Sequence, residues 1–166
     1  MIDSIYNYKK ISPYLATGGQ PNENQLHELS RLGYETVINL GLPGTEYSIH
    51  NEKEIIESYG MQYFHIPVNF ENPEIEKYLE FANLFKSMSH KKVFIHCAAN
   101  KRVSAFLAIF RVKEEGVPLE QAMAEVKSIW KLNKVWVTFM KKVIKNTDKS
   151  VSNVLLIGPD DNTANS

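Results

Sequence analysis

Residues 93–102 read VFIHCAANKR: a branched and aromatic run ends in His96 and Cys97, the sole cysteine, and four residues separate that cysteine from Arg102. The composition suggests a strand, a short polar loop and the start of a helix. At a helix start the first amides have no intrahelical partner and the positive end of the dipole is exposed, so the spot favours an oxyanion. The same field lowers a cysteine pKa from about 8.5 toward about 3.5–7.5, which makes the thiol a thiolate nucleophile at neutral pH. Arg102 adds a planar fork suited to two oxygens of a tetrahedral anion, whereas Lys101 offers a point charge. A cysteine that closes an apolar strand also serves as plain core. Packing alone, however, does not call for a polar, cationic loop at that position.

The elements that must position this stretch follow from periodicity. Residues 11–21, ISPYLATGGQP, read as one short strand closed by a Gly-Gly turn, and residues 22–34 as a capped helix with Leu26, Leu29 and Leu32 on one face and Gly33 as its stop. ETVINL (35–40) is a buried strand, the turn-rich GLPGT follows, and a helix near 49–60 leads to a strand over 61–68. From Pro73, the spacing of Ile75, Tyr78, Leu79, Ala82 and Phe85 predicts an amphipathic helix. KVFIHC (92–97) is a third strong strand, and residues 102–116, 118–130 and 133–146 read as three more helices. Strands alternating with helices imply a three-layer α/β fold: a central, mostly parallel sheet of four to five strands with helices on both faces.

The 166 residues suit a single domain over 1–150, with 151–166 as a flexible tail in which VLLI (154–157) is a candidate edge strand. Lys plus Arg and Asp plus Glu number nineteen each, so no global field favours nucleic acid or a membrane surface as partner, and anion binding must be local. Trp130 and Trp136 flank a basic KLNK, which reads as helix core with a solvated face rather than a nucleic-acid surface. A lone cysteine and the absence of an apolar leader or span point to the cytoplasm, or to the periplasm had a leader been removed. His27, His50, His65 and His90 show no metal-ligand spacing with one another or with Cys97, and no metal or other cofactor is expected.

VFIHCAANKR resembles the signature loop of the cysteine-dependent protein tyrosine and dual-specificity phosphatases. TGGQPNENQLHELSRLGYETVINL followed by GMQYFHIPV is similar, more narrowly, to the bacterial beta-lactamase hydrolase-like or eukaryotic-like phosphatase group, with its Gly-Gln-Pro near the start; the likeness spans about residues 10–127. The resemblance implies hydrolysis of phosphate monoesters on a phosphorylated protein or small ester, through a phosphocysteine on Cys97. Arg102 would bind the phosphoryl group, the amides of Ala98, Ala99, Asn100, Lys101 and Arg102 would cradle its oxygens, and His96 would orient the loop from beneath.

Four features depart from the widespread pattern. The loop has four residues between Cys97 and Arg102 rather than five, a spacing shared with rhodanese-like sulfurtransferases that carry a persulfide on cysteine. It contains no glycine, and Asn100 stands where positive φ is needed, as the non-glycine residue that best tolerates it. Val103 replaces the usual hydroxyl after the arginine, with Ser104 one position on as the substitute. No aspartate lies between Asp3 and Asp148, so the general acid falls to a glutamate of HIPVNFENPEIE: Glu71, in the loop, ahead of Glu74 and Glu76. Gln20 and Glu46 occupy loops that could line the same rim, though a structural role suits each. A persulfide-carrying sulfurtransferase and a phospho-binding module without turnover are the rival functions.

Overall fold

Pro13 fixes the first hairpin turn of the chain, because proline suits the first central position of a tight turn and cannot donate to a sheet ladder. In the computed structural model, which describes residues 1–146, strand β1 (Lys9–Ser12) and strand β2 (Leu15–Gly18) pair as an antiparallel hairpin around it. The stretch expected as one strand with a Gly-Gly turn is therefore two strands. Its glycines extend the second, with Gly18 opposite His96 and Gly19 bridged to Ala99.

Helix α1 (Glu23–Arg31) begins at Asn22, whose side chain accepts from the Gln25 amide while the Gln25 side chain reaches back to the Asn22 amide. Then follow β3 (Thr36–Asn39), α2 (Glu52–Ser58), β4 (Gln62–His65), α3 (Ile75–Lys86) and β5 (Val93–His96). Three consecutive helices close the described chain: α4 (Lys101–Glu115), α5 (Leu119–Lys127) and α6 (Lys134–Lys145). The sheet order is β1-β2-β5-β3-β4, with every pair parallel except the first hairpin. This is the three-layer, mostly parallel α/β architecture that the alternation of patterns implies. The segment 154–157, read as a candidate edge strand, and the tail 151–166 lie outside the described residues.

Alternation along the central strands separates two cores. Val37 and Phe94 join Leu26, Leu29 and Ile56 on the face covered by α1 and α2. Ile38, Val93 and Ile95 join Tyr78, Phe81, Phe106, Trp136 and Phe139 on the face covered by α3, α4 and α6. All four residues of β5 are buried, as a central parallel strand requires. The C-terminal ends of β5 and β3 lie side by side, with Asn39 opposite His96, and that end is where open parallel sheets bind ligands.

Candidate active site

The two faces of β5 assign the two residues of its His-Cys end to different neighbours. His96 follows the side of Phe94 and meets helix α2, where its Nε2 lies 2.5 Å from Glu52 Oε2. Cys97 follows Val93 and Ile95 into the larger core and carries no solvent-accessible surface. The nucleophile candidate is thus the floor of the loop rather than its rim.

Residues 98–100 form the loop, and the three consecutive carbonyls of residues 97–99 are held from outside. The Cys97 carbonyl faces His96 Nδ1 at 3.1 Å, the Ala98 carbonyl accepts from the Gln20 amide at 3.1 Å, and the Ala99 carbonyl accepts from Asn7 Nδ2 at 2.9 Å. A trans peptide points its C=O and its following N–H in opposite directions, so anchoring the carbonyls outward turns amides toward the loop interior. The amides of Ala98, Ala99, Lys101 and Arg102 donate to no acceptor among the described residues. Unpaired amides of this kind at a helix start form an anion nest. Gly19 permits the close approach that holds it, since a Cβ there would lie 2.5 Å from the Ala98 carbonyl oxygen.

Asn100 takes the left-handed conformation expected of it, with φ 64° and ψ 15°. Backbone tolerance is only part of its role. It is fully buried, and its Nδ2 donates to the Asn7 carbonyl at 2.9 Å and to Thr17 Oγ1 at 3.0 Å. Asn7, itself at φ 52°, returns the bond to Ala99, so the two asparagines clasp the N-terminal turn to the loop.

Arg102, in the first turn of α4, is 5% exposed. Its Nη1 donates to the Val68 carbonyl at 2.9 Å and its Nη2 to the Tyr47 hydroxyl at 3.4 Å, while the Phe70 and Tyr47 rings lie 5.8 and 5.9 Å from the guanidinium carbon. The Nε–H is buried without a partner, and Arg102 forms no ion pair among the described residues. A buried cation that lacks a neutralising carboxylate is costly unless an anion arrives to pair with it.

Beneath the loop lies a polar pair that sequence patterns do not reveal. Burial alone would push the Glu52 carboxyl up, but the charge of His96 and hydrogen bonds from His96 and Gln20 outweigh it and hold Glu52 below the ordinary glutamate range. Gln20 Nε2 donates to Glu52 Oε1 at 3.0 Å. The Gly-Gln-Pro stretch therefore touches the site twice, by the Gln20 amide on the loop and by its side chain on Glu52. An open cleft of about 570 Å³, lined by Asn39, Ser48, Glu52, Tyr63 and His65 among others, adjoins this pair; neither Cys97 nor Arg102 lines it.

The remaining candidates divide. Lys101 is half-buried, with its ammonium 5.5 Å from the Trp130 ring and 5.8 Å from that of Phe70. Trp136 Nε1 donates to the Phe70 carbonyl, so both tryptophans pack behind the site as core. Ser104 does not take the place of the missing hydroxyl beside Cys97. Its Oγ donates to the Lys101 carbonyl at 3.0 Å and accepts from Trp130 Nε1 at 3.1 Å, because one helical step beyond Val103 turns it toward α5, and no hydrogen bond joins it to Cys97. Glu71 is exposed on the loop that also presents Val68 and Phe70 to Arg102, and its side chain makes no hydrogen bond or ion pair among the described residues. Asn7, Gly19, Tyr47 and Glu52 are contributors that the sequence did not single out for the loop. Among the described residues no three His, Cys, Asp or Glu side chains cluster to hold a metal ion, and no helix is long and apolar enough to cross a membrane.

A cysteine ending the central strand, a ring of unpaired amides and a buried arginine, on a five-stranded α/β sheet, define a cysteine-dependent phosphatase of the tyrosine and dual-specificity class. Residues 5–142 match the model of a family described as a DSP-PTPase phosphatase fused to NAD+ kinase, and the chain belongs to that family of hydrolases. Among solved structures it is similar to the DUF442 phosphatase of Shewanella putrefaciens CN-32, at 28% identity and a TM-score of 0.79 over 88% of this chain and 96% of that one. P. aeruginosa TpbA matches at 16% identity and TM-score 0.73, over 89% of this chain and 92% of that one. The core catalytic domain of the S. cerevisiae PP-IP phosphatase SIW14 matches at 14% and 0.68, over 87% and 93%. The last two likenesses concern the fold. No curated protein matches the chain.

Proposed function

We propose that the protein hydrolyses phosphate monoesters through a phosphocysteine on Cys97. The sulfur attacks phosphorus in line with the ester bond, a P–S bond forms and the P–O bond to the leaving group breaks. Glu71 gives its proton to the departing oxygen. Water then attacks the phosphocysteine, Glu71 takes the water's proton, and inorganic phosphate leaves as the thiolate is restored. Amides of residues 98, 99, 101 and 102 and the Arg102 guanidinium hold the three equatorial oxygens, where preorganised donors give their largest benefit.

The observation that carries this reading is Arg102: buried, anchored on Val68 and Tyr47 and, among the described residues, free of any carboxylate and with Nε–H unpartnered beside unpaired amides. Because Cys97 lies under the loop with no exposed surface, a slender aryl phosphate suits the site, with phosphotyrosine as the first protein substrate to try. A small phosphate ester is the alternative, in keeping with the name of the fold neighbour SIW14. A lone thiol used this way needs a reducing compartment, and we place the reaction in the cytoplasm.

The test is hydrolysis of p-nitrophenyl phosphate, with thiosulfate plus cyanide in parallel and Cys97→Ser as control. Phosphate release lost in the serine variant supports the proposal. Thiocyanate formation without phosphate release would reassign the protein as a sulfurtransferase, and phosphate binding without either product would make it a binding module. Glu71→Gln should slow phenyl phosphate far more than p-nitrophenyl phosphate, because a proton donor worth about 10²–10⁴-fold matters most for the poorer leaving group. An equal effect on both esters would remove Glu71 from the acid role.

A further inference from the structure

Directly under the nucleophile, the chain buries a second charged constellation that phosphoryl transfer as described above does not use. His96, fully buried, closes β5 one residue before Cys97, and Glu52, the first residue of α2 and 4% exposed, meets it there. Each ring nitrogen of His96 faces an acceptor: Nε2 meets the Glu52 carboxylate at 2.5 Å, and Nδ1 meets the Cys97 carbonyl at 3.1 Å. A carbonyl oxygen cannot donate and a carboxylate is an acceptor, an arrangement that an imidazolium donating from both nitrogens satisfies at each end. Gln20 occupies the other carboxylate oxygen, which leaves Glu52 a single orientation.

We propose that Glu52, held by Gln20, is a positioning residue for the nucleophile: it keeps His96 doubly protonated and aimed at the Cys97 carbonyl, which turns the Ala98 amide into the loop. The chain of contacts is continuous, from the Gly-Gln-Pro stretch through α2 to β5 and the loop. It gives that stretch a reason beyond the turn, since Gln20 braces the loop from above by its amide and from below through Glu52. The titratable groups that bear on the pair come from β4 and from α2 itself. On β4, Tyr63 is pushed up to about 12 by burial and then by Glu52, and it accepts from Asn39. His65, also on β4, is engaged with the Gly41 carbonyl, and Glu54 of α2 bears on Tyr63. None of them supplies a second carboxylate to His96.

The kinetic part of this inference rests on the phosphatase reading, and the spectroscopic part does not. The experiment is ¹⁵N NMR of the full chain labelled at histidine, in wild type, Glu52→Gln and Glu52→Asp, combined with pH profiles of p-nitrophenyl phosphate hydrolysis. Wild-type His96 should show both ring nitrogens protonated at neutral pH. Glu52→Gln should lose one of those protons at the same pH, with kcat down on the order of tenfold and KM within about twofold, as expected when a fixed donor is misdirected. Glu52→Asp, which keeps the charge, should restore the doubly protonated ring and most of kcat. A neutral His96 ring in the wild type would overturn the proposal even if Glu52→Gln failed to fold. So would a Glu52→Gln protein that melts lower yet keeps wild-type kcat, because that is the signature of a purely structural pair. Absence of turnover in the wild type would instead sink the phosphatase reading, while the ring protonation would still decide the role of Glu52.

Discussion

Replacing Asn100 with glycine separates two accounts of how a loop without glycine works. If Asn100 is present only because it tolerates φ 64°, glycine should be neutral or stabilising. The structure gives the opposite sign. The substitution removes hydrogen bonds to the Asn7 carbonyl and Thr17 Oγ1, each worth about 0.5–1.5 kcal/mol net, and Thr17 is 1% exposed. Glycine also adds unfolded-state entropy, a further ~0.4–1 kcal/mol, against a backbone relief that is small because asparagine already suits the region. The sum is a destabilisation of ~1.4–4 kcal/mol, which for a domain of this size lowers Tm by roughly 3–16 °C. Asn100→Ala should cost about 1 kcal/mol more, since alanine lacks asparagine's ease at positive φ. Urea unfolding followed by the fluorescence of Trp130 and Trp136 measures both variants. An Asn100→Gly protein within about 0.5 kcal/mol of wild type, the usual scatter of neutral changes, would refute the asparagine clasp.

Other perturbations test the neighbouring contacts. Gly19→Ala should destabilise the protein and weaken phosphate or vanadate binding together, because its Cβ would meet the Ala98 carbonyl oxygen at 2.5 Å and backbone must move; unchanged inhibition constants would contradict the bracing of the loop. Arg102→Lys should lower kcat by about 10²–10³-fold, the usual loss for one preorganised donor, with a melting temperature that reports the missing bond to Val68 separately. Glu52 is held below its ordinary range in the folded protein, so it stabilises the fold fully above the unfolded-state pKa. That contribution disappears as pH falls through the lowered folded value. The gap in Tm between wild type and Glu52→Gln should therefore close under acid conditions; a gap that persists at the acid end would refute the assigned ionisation.

The parts of the molecule that could be read in advance are those specified by neighbours in sequence. Branched runs marked β3 and β5, the 3.6-residue spacing of Ile75, Tyr78, Leu79, Ala82 and Phe85 marked α3, and the strand-to-helix passage at Cys97 marked the loop. Asn100 at positive φ follows from the absence of any glycine between Cys97 and Arg102. Contacts made across the fold were illegible. Glu52 sits among the charged residues of a short helix that looks solvated, and only the parallel sheet brings it to His96, 44 positions away. Asn7 is more than 90 positions from the loop that it clasps. The hairpin at Pro13 carries its own turn signal in Ser12-Pro13, masked by the strand-like residues on either side, and Ser104 was misplaced because linear distance from Arg102 does not show that it faces Trp130.

The proposed reaction requires Cys97 to carry the phosphoryl group. Rapid acid quench of the enzyme during turnover of an aryl phosphate, followed by peptide mass spectrometry, looks for that adduct directly. One phosphoryl group on the peptide that contains Cys97, absent from Cys97→Ser and scarce in Arg102→Lys, is the predicted result. Steady phosphate release from a wild-type enzyme whose Cys97 peptide stays unmodified at every quench time, or equal release by Cys97→Ser, would contradict it.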